Sequence, residues 1–274
     1  HTALSGLAAA SRAADVVSSN IANALTPGYG ARALVLSSRA GDGYGGVQVT
    51  GVLRDVDPVL LGDRRRAGAA LGGAETQAGF LARLGNILGA PDDPGAISSR
   101  VAAFEAALTV AVGDPASPQR LEGVVRAAER LAAGLRNAST EVQARRAEAD
   151  ADIGRAVDRM NAGLARVQDL NAAVVAATAR GEDVSGLLDQ RQREIDALSD
   201  IVPLRELVRP GGRVALYTVG GAALLDGTPA RIGFERTPVI TPHMTLGNGD
   251  LSALTIDGRA AGPAAFAGGQ LDAL

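Results

Sequence analysis

Residues 118–179 constrain this chain more than any other stretch. Leu121, Val124, Ala128, Leu131, Leu135, Ala138 and Val142 recur at alternating spacings of three and four. After a polar interval, Gln143 to Asp152, the rhythm resumes at Ile153, Val157, Met160, Leu164, Val167, Asn171 and Val174. One continuous helix here would be about 93 Å long at 1.5 Å per residue. That length does not fit a globular domain and predicts a rod packed lengthwise against other helices. The alternative is two helices broken near 145–152. Composition points to the same architecture. Hydrophobic residues make up 46% of the 274 residues, but aromatics only 3%, with four Phe, three Tyr and no Trp. Large side chains dominate burial energy, so the expected core is thin and built from helices that approach through small residues.

A second helical stripe opens the chain. Leu4, Leu7, Ser11, Ala14, Ser18, Ile21 and Leu25 form one face of a helix. Most of these side chains are small, so the face supplies little burial alone but lets another helix come close. Asn20, Asn23 and Thr26-Pro27-Gly28 end it, because proline disfavours the α region at Thr26 and glycine permits a positive φ. A helix of this length is marginal alone in water and is expected to need a partner.

Two short strands are expected between Ala31 and Leu53, joined by Gly41-Asp42-Gly43-Tyr44-Gly45-Gly46. Asp57-Pro58 has the form of a helix cap and first turn, and a helix follows to about Leu88. Its five glycines, at 62, 68, 72, 73 and 79, mean that packing rather than propensity must hold it. A helix over Ile97–Val112 comes next. Ser117-Pro118 caps the long pattern, and Ser185 caps a further helix to Ile201. Leu204–Val208 and Val214–Val219 read as a hairpin. Shorter strands are expected at Ala222–Leu225, Ala230–Glu235 and Leu254–Ile256, with 237–252 irregular and Ala264–Leu274 beginning another helix.

Chemistry is sparse. The net charge of −3, from 27 basic and 30 acidic residues, argues against a general nucleic-acid binder. With no cysteine there is no disulfide and no thiolate. No run of about 18 apolar residues predicts a membrane span, and no cleavable signal peptide is evident. His243 has no companion for metal or base chemistry, and no serine has a candidate base. Asp92-Asp93 does not fit a calcium loop and reads as a helix cap. The glycine turn at 41–46 lacks the context of a phosphate cradle. Arg64-Arg65-Arg66 reads as a solvated helix face. No cofactor, metal site or catalytic residue is expected.

Ala3-Leu4-Ser5-Gly6-Leu7, Ser19-Asn20-Ile21-Ala22-Asn23 and Thr26-Pro27-Gly28-Tyr29 together resemble the amino-terminal signature of bacterial flagellar axial proteins, the rod, hook and hook-associated proteins. Within that group, Leu187-Leu188-Asp189-Gln190-Arg191, with Asp114-Pro115 and Gln119-Arg120, resembles the hook-associated family of the hook–filament junction. Gly268-Gly269-Gln270-Leu271-Asp272-Ala273-Leu274 resembles that family's return from a variable β region into helices. Gly30-Ala31-Arg32 departs from the pattern, which often has Ser or Thr and then Arg after the Gly-Tyr pair. The family's carboxy-terminal helices are not in this sequence. It opens on His1 and stops in a promising helix, so the expectation is part of a longer protein.

The resemblance implies a structural subunit exported unfolded by the flagellar type III apparatus and located outside the cell. It would self-assemble into a ring-like helical layer of about eleven copies. Its partners would be the hook protein below, a second junction protein and the flagellin filament above, and an export chaperone. Leu4, Leu7, Ala14, Ile21 and Leu25 would pack in the inner shell. Asn20, Asn23, Pro27, Gly28 and Tyr29 would shape the turn. Leu187, Leu188 and Arg191, within the motif that includes Asp189 and Gln190, would fix the helical domain beneath the hairpins. The expected fold is mainly α with a smaller β part, an elongated long-helix bundle plus β-hairpins. Its divisions are a terminal helix (1–26), a glycine-rich β linker (27–56), a helix bundle (57–202), a β-hairpin region (203–262) and the start of a return helix (263–274). A hook or distal-rod protein of the same group, or a coiled-coil adaptor dimerising through 121–174, are the alternatives.

Overall fold

The computed structural model of the chain describes residues 2–39, 45–262 and 264–274. Residues 41–44 of the expected glycine turn, and Pro263 of the expected return segment, lie outside the described residues. Long helices and small antiparallel sheets make up the fold, which is mainly α as expected. The elements divide into two compact units.

The first unit takes the residues up to Gly72, Val157–Gly233 and Thr255–Asp272. Helix α1 (Thr2–Ala22) packs on an antiparallel hairpin of β1 (Ala31–Arg39) and β2 (Gly46–Asp55). The register slips between Val35 and Leu36, which leaves Thr50 as the extra residue, and its hydroxyl donates to the Val35 carbonyl at 3.1 Å. Helix α2 (Pro58–Leu88) starts as its cap dictates. Asp57 Oδ1 accepts from the Val59 and Leu60 amides at 2.8 and 3.2 Å.

Helix α4 (Pro118–Ala179) is unbroken over 62 residues, and its second half supplies the core of this unit. Val157, Met160, Leu164, Val167 and Val174 are all buried, each contributing about 1.5–3 kcal/mol of burial. Against them lie Ile195, Leu198 and Ile201 of α5 (Ser185–Ile201). A Cβ on Gly163 would stand 2.6 Å from Leu198 Cδ2, so only glycine allows that approach. Strands β3 (Leu204–Val208), β4 (Val214–Thr218), β5 (Ala223–Asp226) and β6 (Thr228–Pro229) form a meander in that order, with β3 at one edge. A 3₁₀ turn at Pro210–Gly212 joins β3 to β4. Strands β7 (Ile232–Gly233), β8 (Thr255–Ile256) and β9 (Arg259–Ala260) form a second small sheet. Two asparagines of α4 act as surrogate strand neighbours. The Asn171 side chain bonds both the N–H and the C=O of Val214 at 3.1 and 2.9 Å, and Asn161 does the same for Ile232 at 2.9 and 2.8 Å.

The second unit takes Gly73–Ala156, Phe234–Leu254 and the last two residues. Its helices are the remainder of α2, α3 (Ile97–Val112) and the first half of α4. The core is thin, as the composition requires. Ala96, Ala111 and Ala127 are buried, while Leu81, Val112, Leu121 and Leu135 stay exposed. Arg100 ties α3 to α4, donating to the Arg130 and Gly95 carbonyls at 2.9 and 3.0 Å.

The polar interval in the α4 stripe does not break the helix, because its side chains hold a loop instead. Arg146 donates to the Thr241 and Met244 carbonyls, and buried Asp150 accepts the Thr237 amide at 3.1 Å.

Several boundaries differ from expectation. α1 stops at Ala22, so Leu25 lies in the turn rather than on the helix. Ser185 is the first helical residue, and Asp183 Oδ1 accepts its amide at 2.9 Å. Asp93 closes a turn onto the Gly95 amide at 2.7 Å, while Ala96 holds the N-cap of α3. The strand expected over Ala230–Glu235 is reduced to two residues, and β6 and β9 are additional. The return helix is the five residues of α6 (Gly269–Ala273), whose Asp272 side chain accepts the amide of the preceding Gly268 at 2.9 Å.

Candidate assembly site

The turn after α1 and the Leu187–Arg191 motif read as separate features in the sequence, and the fold brings them together. Asn20 begins the construction. Its Oδ1 accepts the Tyr29 hydroxyl at 2.8 Å and the Arg32 amide at 3.0 Å, while its Nδ2 donates to the Arg32 carbonyl at 2.8 Å. Asn23 Nδ2 donates to the Ser19 carbonyl at 2.9 Å and its Oδ1 accepts the Thr26 hydroxyl at 3.3 Å. These bonds stop the helix and turn the chain back onto its last turn. Gly28 has φ +77°, and a Cβ there would lie 2.3 Å from Arg193 Cγ. The glycine is therefore needed both for the left-handed backbone and for the approach to α5. The Arg32 guanidinium sits 5.0 Å from the Tyr29 ring centroid, within cation–π range.

Asp189 is the centre of the site. Its side chain is 5% exposed and serves three donors: the Gly30 amide at 2.9 Å, Arg32 Nη2 at 3.1 Å and Arg54 Nε at 2.7 Å. Arg54 also donates to Gln192. One carboxylate of α5 thereby fixes the turn and both strands of the hairpin.

Arg191, on the same helix, reaches the other way. Its Nη1 donates to Asn171 Oδ1 at 2.9 Å and to the Gly212 carbonyl at 2.7 Å, tying α5 to α4 and to the β3–β4 turn. Burial, more than any neighbouring charge, holds the Arg191 pKa below the ordinary guanidinium range.

Arg191 ties the helical domain to the β3–β4 turn as expected, while Asp189 and Gln192 carry more of the work and the leucines less. Leu187 and Leu188 are half-buried and Gln190 is exposed, whereas Asp189, Arg191 and Gln192 are buried. The polar members make the tertiary bonds. Arg32, Arg54, Asn171 and Gln192 were not visible as candidates, because their partners lie far away in sequence: 135 residues separate Arg54 from Asp189.

The Arg64-Arg65-Arg66 run also departs from the solvated reading. Arg65 is buried and bonds Asp196 at 2.6 Å and Glu206 at 2.7 Å, while Arg64 pairs with Asp196 and Arg66 with Asp63. On the β sheet, exposed Arg209 forks onto Asp226, which also accepts the Tyr217 hydroxyl at 2.7 Å. These three side chains form a polar cluster on the β sheet. His243 sits in the loop of the second unit, its carbonyl accepting from Asn248 Nδ2 at 2.9 Å. Among the described residues no group of His, Cys, Asp and Glu could hold a metal ion, and no helix is long and apolar enough to cross a membrane.

The α1 stripe faces away from all of this. Ala9, Ala13, Val16 and Asn20 turn toward the hairpin and are buried or half-buried. Leu4, Leu7, Ala14 and Ile21 are exposed, with Leu4, Leu7 and Ile21 at 67%, 69% and 72%, and Leu25 in the turn reaches 97%.

The family model described as the flagellar hook-associated protein FlgK helical domain matches residues 81–274, and that of the flagella basal body rod protein matches residues 1–29. Flagellar hook-associated protein 1 of Salmonella typhimurium (strain LT2) is 28% identical over 237 residues, which is 84% of this chain and 42% of that protein. The protein of the same name from Escherichia coli (strain K12) is 25% identical over 239 residues, 84% of this chain and 43% of its own length. The chain thus spans less than half the length of these curated relatives. In fold it is similar to the flagellar hook junction protein FlgK from Burkholderia pseudomallei, with a TM-score of 0.64 and 17% identity over 78% of this chain and 38% of that one. With residues 81–274, most of its length, matched by that helical-domain model, the chain belongs to the flagellar hook-associated protein FlgK family.

Proposed function

We propose that the chain is part of a structural, non-enzymatic subunit of the bacterial flagellum that builds the hook–filament junction outside the cell. The observation that carries this reading is the division of α1. One face is committed to the hairpin, while Leu4, Leu7, Ala14 and Ile21 form an exposed stripe with nothing among the described residues to cover it. Large exposed apolar side chains in register mark an interaction surface. A helix with a narrow apolar stripe gains its burial from neighbours of the same kind. In this reading the stripe packs in the inner tube against other helices of the assembly, including further copies of the chain in an open helical array of about eleven per layer. The turn at Asn20, Asn23, Pro27, Gly28 and Tyr29 and the motif Leu187–Arg191 set the direction in which α1 leaves the helical domain. The hook protein, a second junction protein, flagellin and an export chaperone are the partners this role requires, with delivery by type III export.

The test is a strain lacking the gene, examined by electron microscopy. Complete hooks without filaments support the junction role, and loss of complete hooks would make the protein a hook or rod subunit. Restoring the full-length gene with Leu7→Glu and Ile21→Glu should leave the helical content of the purified protein unchanged and fail to restore filaments. Full restoration of filaments by that variant overturns the assembly role of the stripe. A stable dimer in dilute solution would support an adaptor instead.

A further inference from the structure

The free edge of β3 opens on a groove of about 570 Å³ between the first turns of α2, helix α5 and the strand itself. The ladder fixes which backbone groups face it. Arg209 donates its amide to Arg213, and Val219 donates its amide to Pro203, so odd-numbered residues of β3 bond to β4. Leu204, Glu206 and Val208 therefore point their N–H and C=O groups away from the sheet. None of these groups has a partner among the described residues, although Leu204 is only 5% exposed. Buried backbone groups of this kind are almost always paired. The walls of the groove are apolar and cationic together. Val59, Leu207 and Val208 are exposed at 70%, 47% and 80%. Among the described residues Arg205 makes no ion pair, and Arg191 hydrogen-bonds only neutral acceptors while Glu206 is the carboxylate that acts on its charge. The carboxylates lining it, Asp63 and Glu206, are already engaged by Arg66 and Arg65.

We propose that this groove takes an extended, carboxylate-bearing peptide segment of a partner protein, which adds as a strand to the free edge of β3. Edge addition supplies the missing main-chain hydrogen bonds, alternate apolar side chains cover Val59 and Val208, and a carboxylate meets Arg205. A helix in the groove would leave the strand edge unpaired, and a basic peptide would add to the cationic excess. The proposal is independent of the assembly role of α1.

The probe is a fluorescent peptide of alternating Val and Glu, titrated onto the intact chain by polarisation, with the matching Val–Lys peptide as its counterpart. The Val–Glu peptide should bind at least about fivefold more tightly than the Val–Lys peptide. Arg205→Glu should abolish that preference. Val208→Pro removes one outward N–H without touching the ladder to β4 and should weaken binding about fivefold. A Val–Glu peptide N-methylated at alternate amides tests the same bonds on the unaltered chain and should not bind in one of its two phases. Equal binding of the two charge forms, or binding indifferent to N-methylation in either phase, overturns the proposal.

Discussion

Replacing Asp189 by alanine deprives three donors of their shared acceptor at once: the Gly30 amide, Arg32 and Arg54. Two of them are guanidinium groups with side chains only 22% and 14% exposed, so water reaches them incompletely once the carboxylate is gone. Removing one member of a buried ion pair costs about 3–5 kcal/mol. The partial exposure of Arg32 argues for the lower end, about 3 kcal/mol. The loss should be local. The hairpin meets the body of its unit chiefly through α5, whereas the α4–α5 core rests on apolar burial that Asp189 does not share. Native-state hydrogen exchange separates the two regions. Amides of β1, β2 and the turn at 23–30 should exchange about two orders of magnitude faster. Those around Met160–Val174 should be unchanged. Exchange accelerated equally in both regions would make Asp189 a general core residue, and no acceleration anywhere would refute the role of the carboxylate. Asp189→Asn keeps Oδ1 as the acceptor for the Gly30 amide and for Arg54, but turns an NH2 group on Arg32 and removes the charge, so it should fall between wild type and alanine.

Gly28→Ala forces a side chain into φ +77° and into the stem of Arg193. Because that stem can move aside, the cost should be about 1–2 kcal/mol in thermal unfolding, and a loss below a few tenths would refute the close approach. Asp200 gives a pH signature. Its carboxyl pKa is raised, first by partial desolvation and then by the charge of Asp196, although the residue is largely exposed. A carboxyl whose folded pKa lies above its unfolded value binds protons more readily when folded, so its ionisation opposes folding above that value. Asp200→Asn should therefore raise the urea midpoint at pH 7. The gain should shrink as pH falls through the folded pKa and vanish below the unfolded one. A gain that grows on acidification would reverse the assignment.

Where a local pattern fixes an element, the sequence is enough to place it. The α3 boundaries follow from apolar spacing between two Pro-Gly-Asp breaks, and the start of α2 follows from one Asp-Pro pair. The β3–β4 hairpin is legible because its strands are long enough to show turn chemistry and apolar content. Strands β7, β8 and β9 are two residues each, too short for any period to appear. The site was half legible. Asn20, Gly28 and the motif at 187–191 stand out as residues, but their roles depend on which distant groups meet them. A leucine is expected to pack and an aspartate to stay in water, so the expected structural members are Leu187, Leu188 and Arg191, of which Arg191 does make tertiary bonds. Burial of Asp189 becomes affordable only because Arg32, Arg54 and Gly30 arrive from the hairpin. Arg65 repeats the lesson: a basic run reads as solvated until Asp196 and Glu206 meet it.

The contrast between the two faces of α1 explains why the latch is polar. In the proposed assembly role the larger apolar side chains of α1 stay available for partners and so cannot also serve internal packing. What remains for holding α1 in place is small: Ala9 is its one buried residue, and Ala13 and Val16 are half-buried. Burial of that size does not fix a direction, because apolar contacts tolerate sliding. Hydrogen bonds do not. Asn20 bonds both backbone groups of Arg32, Arg32 reaches Asp189, and Gly30 docks on the same carboxylate, so a shift of one residue along the turn would break several bonds together. The network thus sets the register and exit angle of the helix while leaving Leu4, Leu7, Ala14 and Ile21 uncovered. An apolar substitute for Asp189 could match its stability contribution only by covering the arginines, and it would still lose that register. The same sequence economy accounts for the alanine-rich character of the helix, since larger residues on its inner face would hold it more firmly but widen its spacing from the hairpin.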